Sequence, residues 1–221
     1  MAKTIVVGRS VMAGSAETAA ANRALLDEAG VLAVNIMASP GAGKTTLILA
    51  TARALAGELT CAVIEGDIAG DLDAMLVEEA GFSAVQINTG GGCHLRPGML
   101  APALQELDLA ATDIVFIENV GNLVCPAGVD LGEHLRVVVS STPEGDDKPV
   151  KYPAVFREAD AVVVSKWDVA PYVGFDLDRY QDGLRRLNSK APLLCLSART
   201  GEGMSPWLDW LREQAARGRG D

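Results

Sequence analysis

Three sets of residues in this chain combine types and spacings that can do chemistry. The first is Cys93 and His94, adjacent to one another directly after Gly90, Gly91 and Gly92, with Cys125 further along in "GNLVCPAGVD". Two thiols and an imidazole form a soft-to-borderline donor set that suits Ni2+ or Zn2+ and not Mg2+ or Ca2+. Three ligands leave the coordination sphere open, to be completed by water or by a second subunit, which fits delivery better than structural storage. From these residues alone an unliganded loop stays open as the alternative, since a free cysteine is commonly a small buried hydrophobe.

The second set is "ASPGAGKTT", Ala38 to Thr46. Apart from Ala38 in place of the first glycine, it follows the phosphate-loop pattern between a strand and a helix. Gly41, Ala42 and Gly43 let the backbone curl so that N–H groups converge on phosphates. The helix that starts at Lys44 adds a favourable dipole. Lys44 is placed to neutralise β and γ phosphates, and the Thr45 hydroxyl, beside Thr46, to coordinate Mg2+. The third set is "SKWD" (165–168) with "LSARTGEG" (196–203). Both resemble the guanine-recognition elements of GTPases. In that reading the Asp168 carboxylate accepts from the guanine ring N–H and amino group, a donor pair adenine lacks. The Lys166 stem lies along the base, the Ala198 N–H faces the keto oxygen, and Ser197 is expected in the same nucleotide site. Ser165 stands where Asn is usual, so affinity for the base is expected to be lower and specificity to survive.

Acidic residues complete the inventory. Asp67 in "EGDIAGDLDA" is the expected Mg2+ partner, directly or through water; Asp71 and Asp73 lie nearby. Glu118 ends an apolar run, and Gly121 is expected to offer its N–H to the γ-phosphate. Lys44, Asp67 and Glu118 are thus the expected catalytic groups. No water-positioning residue or arginine finger is evident, Arg96, Arg136 and Arg157 being unassigned, so hydrolysis is expected to be slow. Cys61 and Cys195 fall inside strand runs as core residues. His134 reads as a surface residue.

The elements that must hold these groups follow from hydrophobic patterning. Near-continuous apolar runs at 31–37, 60–65, 83–88, 113–118, 135–140, 161–166 and 192–197 read as strands buried on both faces. Helix-length segments at 16–30, 44–57, 71–80, 97–107, 176–189 and 204–217 fall between them. This alternation predicts an α/β fold of the P-loop NTPase class, with a doubly wound, mostly parallel sheet and helices on both faces. Such sheets place ligands at the carboxyl ends of their strands. One domain is expected over 1–221, with 1–30 as a helical lead-in and 214–221 as a flexible tail. With 19 Lys+Arg against 29 Asp+Glu the net charge is −10, which disfavours nucleic-acid partners. The absence of a long apolar run or leader pattern predicts a cytoplasmic chain without membrane association.

Taken together, "SPGAGKTT", "EGDIA", "QINTGGGCHL", "FIENVGNLVCPAGVDLGE", "TPEGDDKPVKYP" and "SARTGEG" resemble the HypB family, the nickel-incorporation GTPases of nickel–iron hydrogenase maturation. The resemblance runs from "ANRALLDEAG" to "WLDWL". It implies GTP hydrolysis with Mg2+ and a nucleotide-dependent homodimer. It also implies nickel or zinc at Cys93, His94 and Cys125, with a HypA-like accessory protein and the hydrogenase large subunit as partners. Gly70, Gly91 and Arg96 depart from the family pattern, and no N-terminal Cys-rich or His-rich run is present. Two rival readings are a small-molecule kinase, which leaves "SKWD" and the cysteines without a role, and a metal-binding docking module with vestigial nucleotide turnover.

Overall fold

The structure is a computed structural model that describes residues 3–6, 16–68, 70 and 72–217. Eight strands form its sheet: β1 (Lys3–Val6), β2 (Leu32–Ala38), β3 (Cys61–Asp67), β4 (Ser83–Asn88), β5 (Ile114–Glu118), β6 (Leu135–Ser141), β7 (Ala161–Ser165) and β8 (Leu193–Cys195). They lie in the order β1-β4-β3-β5-β2-β6-β7-β8, every pair parallel. All seven strand runs read from the sequence are present. The eighth, β1, was not expected: four residues are too few to display a period, and its partner β4 lies far along the chain.

Between the strands run α1 (Ala16–Ala29), α2 (Lys44–Leu55), α3 (Leu72–Glu79) and α4 (Pro97–Gln105). They are followed by the short α5 (Lys148–Lys151), α6 (Pro153–Arg157) and α7 (Ala170–Val173), and then α8 (Leu177–Leu187) and α9 (Met204–Arg217). α2, α3 and α9 cover one face through Leu47, Leu55, Val77, Trp207 and Leu211. α1 and α4 cover part of the other through Leu26, Met99 and Leu104, and α6 and α8 the rest through Phe156 and Tyr180. Strands covered on both sides need apolar residues at successive positions, and β2 is buried at all seven. A buried Trp must also satisfy its N–H. Trp207 Nε1 donates to Thr51 Oγ1 at 2.8 Å, fixing α9 on α2 beneath the phosphate loop.

Of the expected flexible tail, residues 214–217 lie in α9. α9 continues to Arg217 because Ala215, 4% exposed, extends its apolar stripe onto the sheet. Residues 218–221 and Asp71, also named above, lie outside the described residues. Among the described residues no helix is long and apolar enough to cross a membrane.

Candidate nucleotide and metal sites

The loop from Ser39 to Gly43 joins β2 to α2. Gly41 and Gly43 adopt φ of 75° and 95°, left-handed values that a side chain would resist. They turn the chain so that Lys44 opens the helix with its ammonium nearly buried. Lys44 Nζ lies 3.4 Å from Glu118 Oε1, and Thr45 Oγ1 donates to the same oxygen at 3.0 Å. The three residues expected at the phosphate end are therefore together at the tip of β5. They line a cavity of about 390 Å3 with Gly41, Gly43 and Thr46.

A second cavity of about 330 Å3 shares Gly43, Thr46 and Lys166 with the first. Ala42, Asp168, Ser197 and Ala198 line it. Ser165, at the position where Asn is usual in that reading, donates from its Oγ to Ala42 O at 2.6 Å. Lys166 is the non-glycine residue with positive φ, 55°, among the described residues. That conformation costs about 1–2 kcal/mol. It is held by Lys166 Nζ donating to Gly41 O at 2.7 Å and by Thr142 Oγ1 donating to Lys166 O at 2.8 Å.

Sequence reasoning did not assign the group that bolts these loops together. Lys148 Nζ bridges Glu144 Oε1 at 2.9 Å and Ser39 Oγ at 3.3 Å. Burial alone would push the Glu144 carboxyl up, but bonds from Lys148, Ser141 and Ser39 hold it below the usual range. The available signal was "TPEGDDKP", whose acid and lysine stand one helical turn apart. Arg199 and Val169 also line the base cavity and were not singled out.

Asp67 ends β3 and Gly121 follows β5. The Asp67 carboxylate accepts from Ile68 N, and neither residue lines either cavity. A Cβ on Gly121 would come within 2.9 Å of Pro40, so this glycine is the contact that lets the segment after β5 lie against the phosphate loop. The carboxylates gathered beside Glu118 are instead Glu65 and Asp73. The sequence signal for Glu65 was a charge inside the apolar run "CAVIE".

At the same end of the sheet, Cys93 Sγ, a His94 ring nitrogen and Cys125 Sγ lie within 4.8 Å of one another. A turn closed by Thr89 Oγ1 donating to Gly92 O at 2.8 Å delivers Cys93 and His94 just before α4. Cys125 opens a 3-10 turn, Cys125–Gly128. Asn122 ties the two loops: its Nδ2 donates to Cys93 O at 3.4 Å, and its Oδ1 accepts from Val124 N at 2.8 Å. Cys93 is exposed and the other two are partly so. Contact with the Cys125 thiol, then burial, push the Cys93 thiol above its ordinary value. Partial burial, then Arg96, hold the His94 imidazole below its own. Cys93 therefore rests as a thiol and His94 as a neutral imidazole, and a thiophilic cation must displace the Cys93 proton to enter.

The other titratable candidates are structural. Burial pushes the Cys61 thiol up to about 12 and the Cys195 thiol up to about 11, leaving both inert. His134 is half-buried at the opposite end of the sheet and is more than a surface residue. Its Nδ1 accepts from Ala33 N at 2.9 Å and its Nε2 meets Asp27 Oδ1 at 2.7 Å. Arg136 serves Glu133 and Glu158 there, at 2.8 and 2.7 Å.

Residues 32–195 match the family described as CobW/HypB/UreG, nucleotide-binding domain. Hydrogenase maturation factor HypB of Escherichia coli (strain K12) is 46% identical over 193 residues, 87% of this chain and 67% of that protein. The probable hydrogenase maturation factor HypB of Methanocaldococcus jannaschii is 39% identical over 207 residues, covering 94% of each. Among solved structures, HypB of Archaeoglobus fulgidus superposes with a TM-score of 0.84 at 38% identity, over 90% of this chain and 97% of that one. HypB of Helicobacter pylori in complex with nickel gives 0.88 at 34% identity, over 93% and 96%. The signal recognition particle receptor FtsY of Elizabethkingia anophelis, at 0.55 and 15% identity, shares the fold alone. The chain belongs to the CobW/HypB/UreG nucleotide-binding family and, within it, to the HypB hydrogenase maturation factors.

Proposed function

We propose that this protein is a GTP-hydrolysing nickel metallochaperone for nickel–iron hydrogenase maturation. It works as one GTPase domain, in the cytoplasm, as a homodimer whose assembly follows the nucleotide. A HypA-like accessory protein and the hydrogenase large subunit are its partners. The observation that carries the reading is the path of one short segment. Glu118 bonds the phosphate-loop hydroxyl at its start, and Cys125 completes the Cys/His/Cys trio at its end.

The base cavity takes guanine through Asp168, with Lys166, Ser197 and Ala198 shaping the pocket around it. The phosphates lie along Gly41–Thr46, where Lys44 neutralises their charge. Mg2+ fits the donor chemistry at the phosphate end, where hydroxyl and carboxylate oxygens gather. Thr45 would hold it, with Asp67 as an acidic partner through water, and bound there it draws charge from the β and γ phosphates. Glu118 orients the Thr45 hydroxyl and the Lys44 ammonium toward the same place. Cys93, His94 and Cys125 take Ni2+, with Zn2+ as the competing cargo, and an open fourth position allows transfer onward.

Equilibrium dialysis with Ni2+ tests the assignment. Cys93→Ala and Cys125→Ala are expected to lose nickel while GTP turnover with Mg2+ and no nickel persists. Nickel binding equal to wild type in both variants would defeat it.

A further inference from the structure

Asn22, in α1 and 3% exposed, divides its amide nitrogen between two carbonyls far apart in sequence. Nδ2 donates to Pro97 O at 3.0 Å and to Leu131 O at 2.9 Å. A side-chain amide has two N–H donors, so this pair uses both. Pro97 opens α4 three residues after His94, and Leu131 lies six residues after Cys125. One buried side chain of α1 therefore joins the exits of both loops that carry the thiol trio. Gly132 makes the close approach possible. A Cβ there would run into Ala19 O and come within 2.8 Å of Asn22 Cβ. Beside it, Arg23 Nε donates to Gly132 O at 2.9 Å. Leu26, Met99, Leu100 and Leu131 share one apolar cluster around these bonds. Apolar packing is non-directional and sets no register between α4 and the loop after Cys125. A buried amide with both donors committed does set one.

We propose that Asn22 is a positioning residue for the thiol trio. By gripping Pro97 and Leu131 together it sets the separation of Cys93 from Cys125, and with it the affinity of the pair for a thiophilic cation. The consequence for nickel rests on the metal assignment above; the effect on sulfur spacing does not. Ligands drawn from two loops must be brought together before they can share an ion, and that ordering weakens binding when it has to accompany it. With Asn22 holding both exits, the ordering is complete before an ion arrives. Asn122 ties the same two loops beside the sulfurs, at Cys93 O. Each loop is thus fixed once next to its thiol and once where it leaves the site.

Two measurements on the full chain without nucleotide test this. Phenylarsine oxide joins two neighbouring thiols: the arsenic–oxygen bond is replaced by two arsenic–sulfur bonds, and the oxygen leaves as water with both thiol protons. Mass spectrometry reads its capture at Cys93 and Cys125, and equilibrium dialysis reads Ni2+. Asn22→Ala should weaken both about tenfold, the lower end of what outer partners of metal ligands contribute. Asn188→Ala controls for stability alone. It deletes the bonds from Asn188 Nδ2 to Phe156 O, Arg157 O and Ala159 O at the end of α8, so it should lower Tm and leave both readouts at the parental level. Arg23→Ala removes the neighbouring bond to Gly132 O and serves should Asn22→Ala fail to fold, with a loss of about two- to fivefold in both readouts. Parental capture and affinity in whichever of the two α1 variants folds, or an equal loss in Asn188→Ala, would overturn the proposal. Arsenical capture needs no nickel, so a parental chain that takes the arsenical and not Ni2+ counts against the metal reading alone.

Discussion

Replacing the phosphate-loop lysine is expected to cost more than nucleotide binding. Lys44 and Glu118 have side chains 9% and 4% exposed, with Nζ and Oε1 3.4 Å apart, and Glu65 lies beside Glu118 in the sheet. Lys44→Met leaves Glu118 without a cationic partner among the described residues. Breaking one side of a buried pair costs about 3–5 kcal/mol. In a chain of this size each kcal/mol moves Tm by about 2–4 °C, so a drop of roughly 6–20 °C is expected. The loss should depend on pH. Glu65 has a folded pKa raised above its unfolded value, so above the ordinary carboxylate range the native state holds more protons than the unfolded one. Stability therefore falls as pH rises through that window, and Lys44, which pulls the Glu65 value down, opposes the fall. Without Lys44 the deficit should be larger near pH ~8 than near pH ~6. Adding Glu118→Gln removes the stranded charge and should restore much of the lost Tm. Thermal melts in EDTA without nucleotide measure all three effects. A variant melting within about 2 °C of wild type near pH ~8, or a double variant no better than the single one, would refute the charge argument.

Three further outcomes are expected. Asp168→Asn should weaken GDP binding about a hundredfold or more and shift preference toward xanthine nucleotides, whose 2-oxo group accepts from the new amide; competition binding reads this, and unchanged GDP affinity would remove Asp168 from the base site. Asn122→Ala deletes the bonds to Cys93 O and from Val124 N, so nickel affinity should fall by up to about thirtyfold at a net ~1 kcal/mol per bond. Nickel affinity should rise with pH across about pH 6.5–8.5, because each thiol must lose its proton, with a slope approaching two log units per pH unit at most. A third unit would mean that His94, whose pKa is lowered, also gives up a proton in that range.

How much the sequence disclosed depended on whether a residue's role was local. The phosphate loop was legible because its glycines, lysine and threonines act within one turn. "SKWD" and "SARTGEG" were legible because each follows a strand whose apolar run is plain. Cys93 and Cys125 could be joined because both lie past strand ends in a parallel sheet. Glu65 escaped because its meaning lies across strands: only register sets it beside Glu118. Asp67 drew notice because it stands at the open end of β3, where its carboxylate accepts from Ile68 N. Glu144 and Lys148 were hidden by distance, since the loop they brace, at Ser39, lies more than a hundred residues away (109 for Lys148).

Alternation along β5 and the residues after it explains how one short stretch can serve two chemistries. Glu118 points to the face carrying α2, where it meets Thr45. Asn119, next in sequence and 1% exposed, serves the other side. Its Nδ2 donates to Asn35 Oδ1 at 3.3 Å, and its Oδ1 accepts from Leu95 N and Val120 N, each at 3.0 Å. Leu95 directly follows His94, so Asn119 holds the Cys/His loop against the strand whose end faces the phosphates. Gly121 then rests on Pro40 of the phosphate loop, and Asn122 grips Cys93 O. Close-packed interiors move between discrete arrangements and do not stretch. A shift of Glu118 toward or away from Thr45 must therefore move Asn119, and with it the spacing of the two sulfurs and the imidazole. Coupling then needs no long-range relay, because the strand tip is itself a shared wall of both sites. Its strength is bounded by the few hydrogen bonds that change, about 1–3 kcal/mol, enough to alter metal affinity some 5–150-fold between nucleotide states.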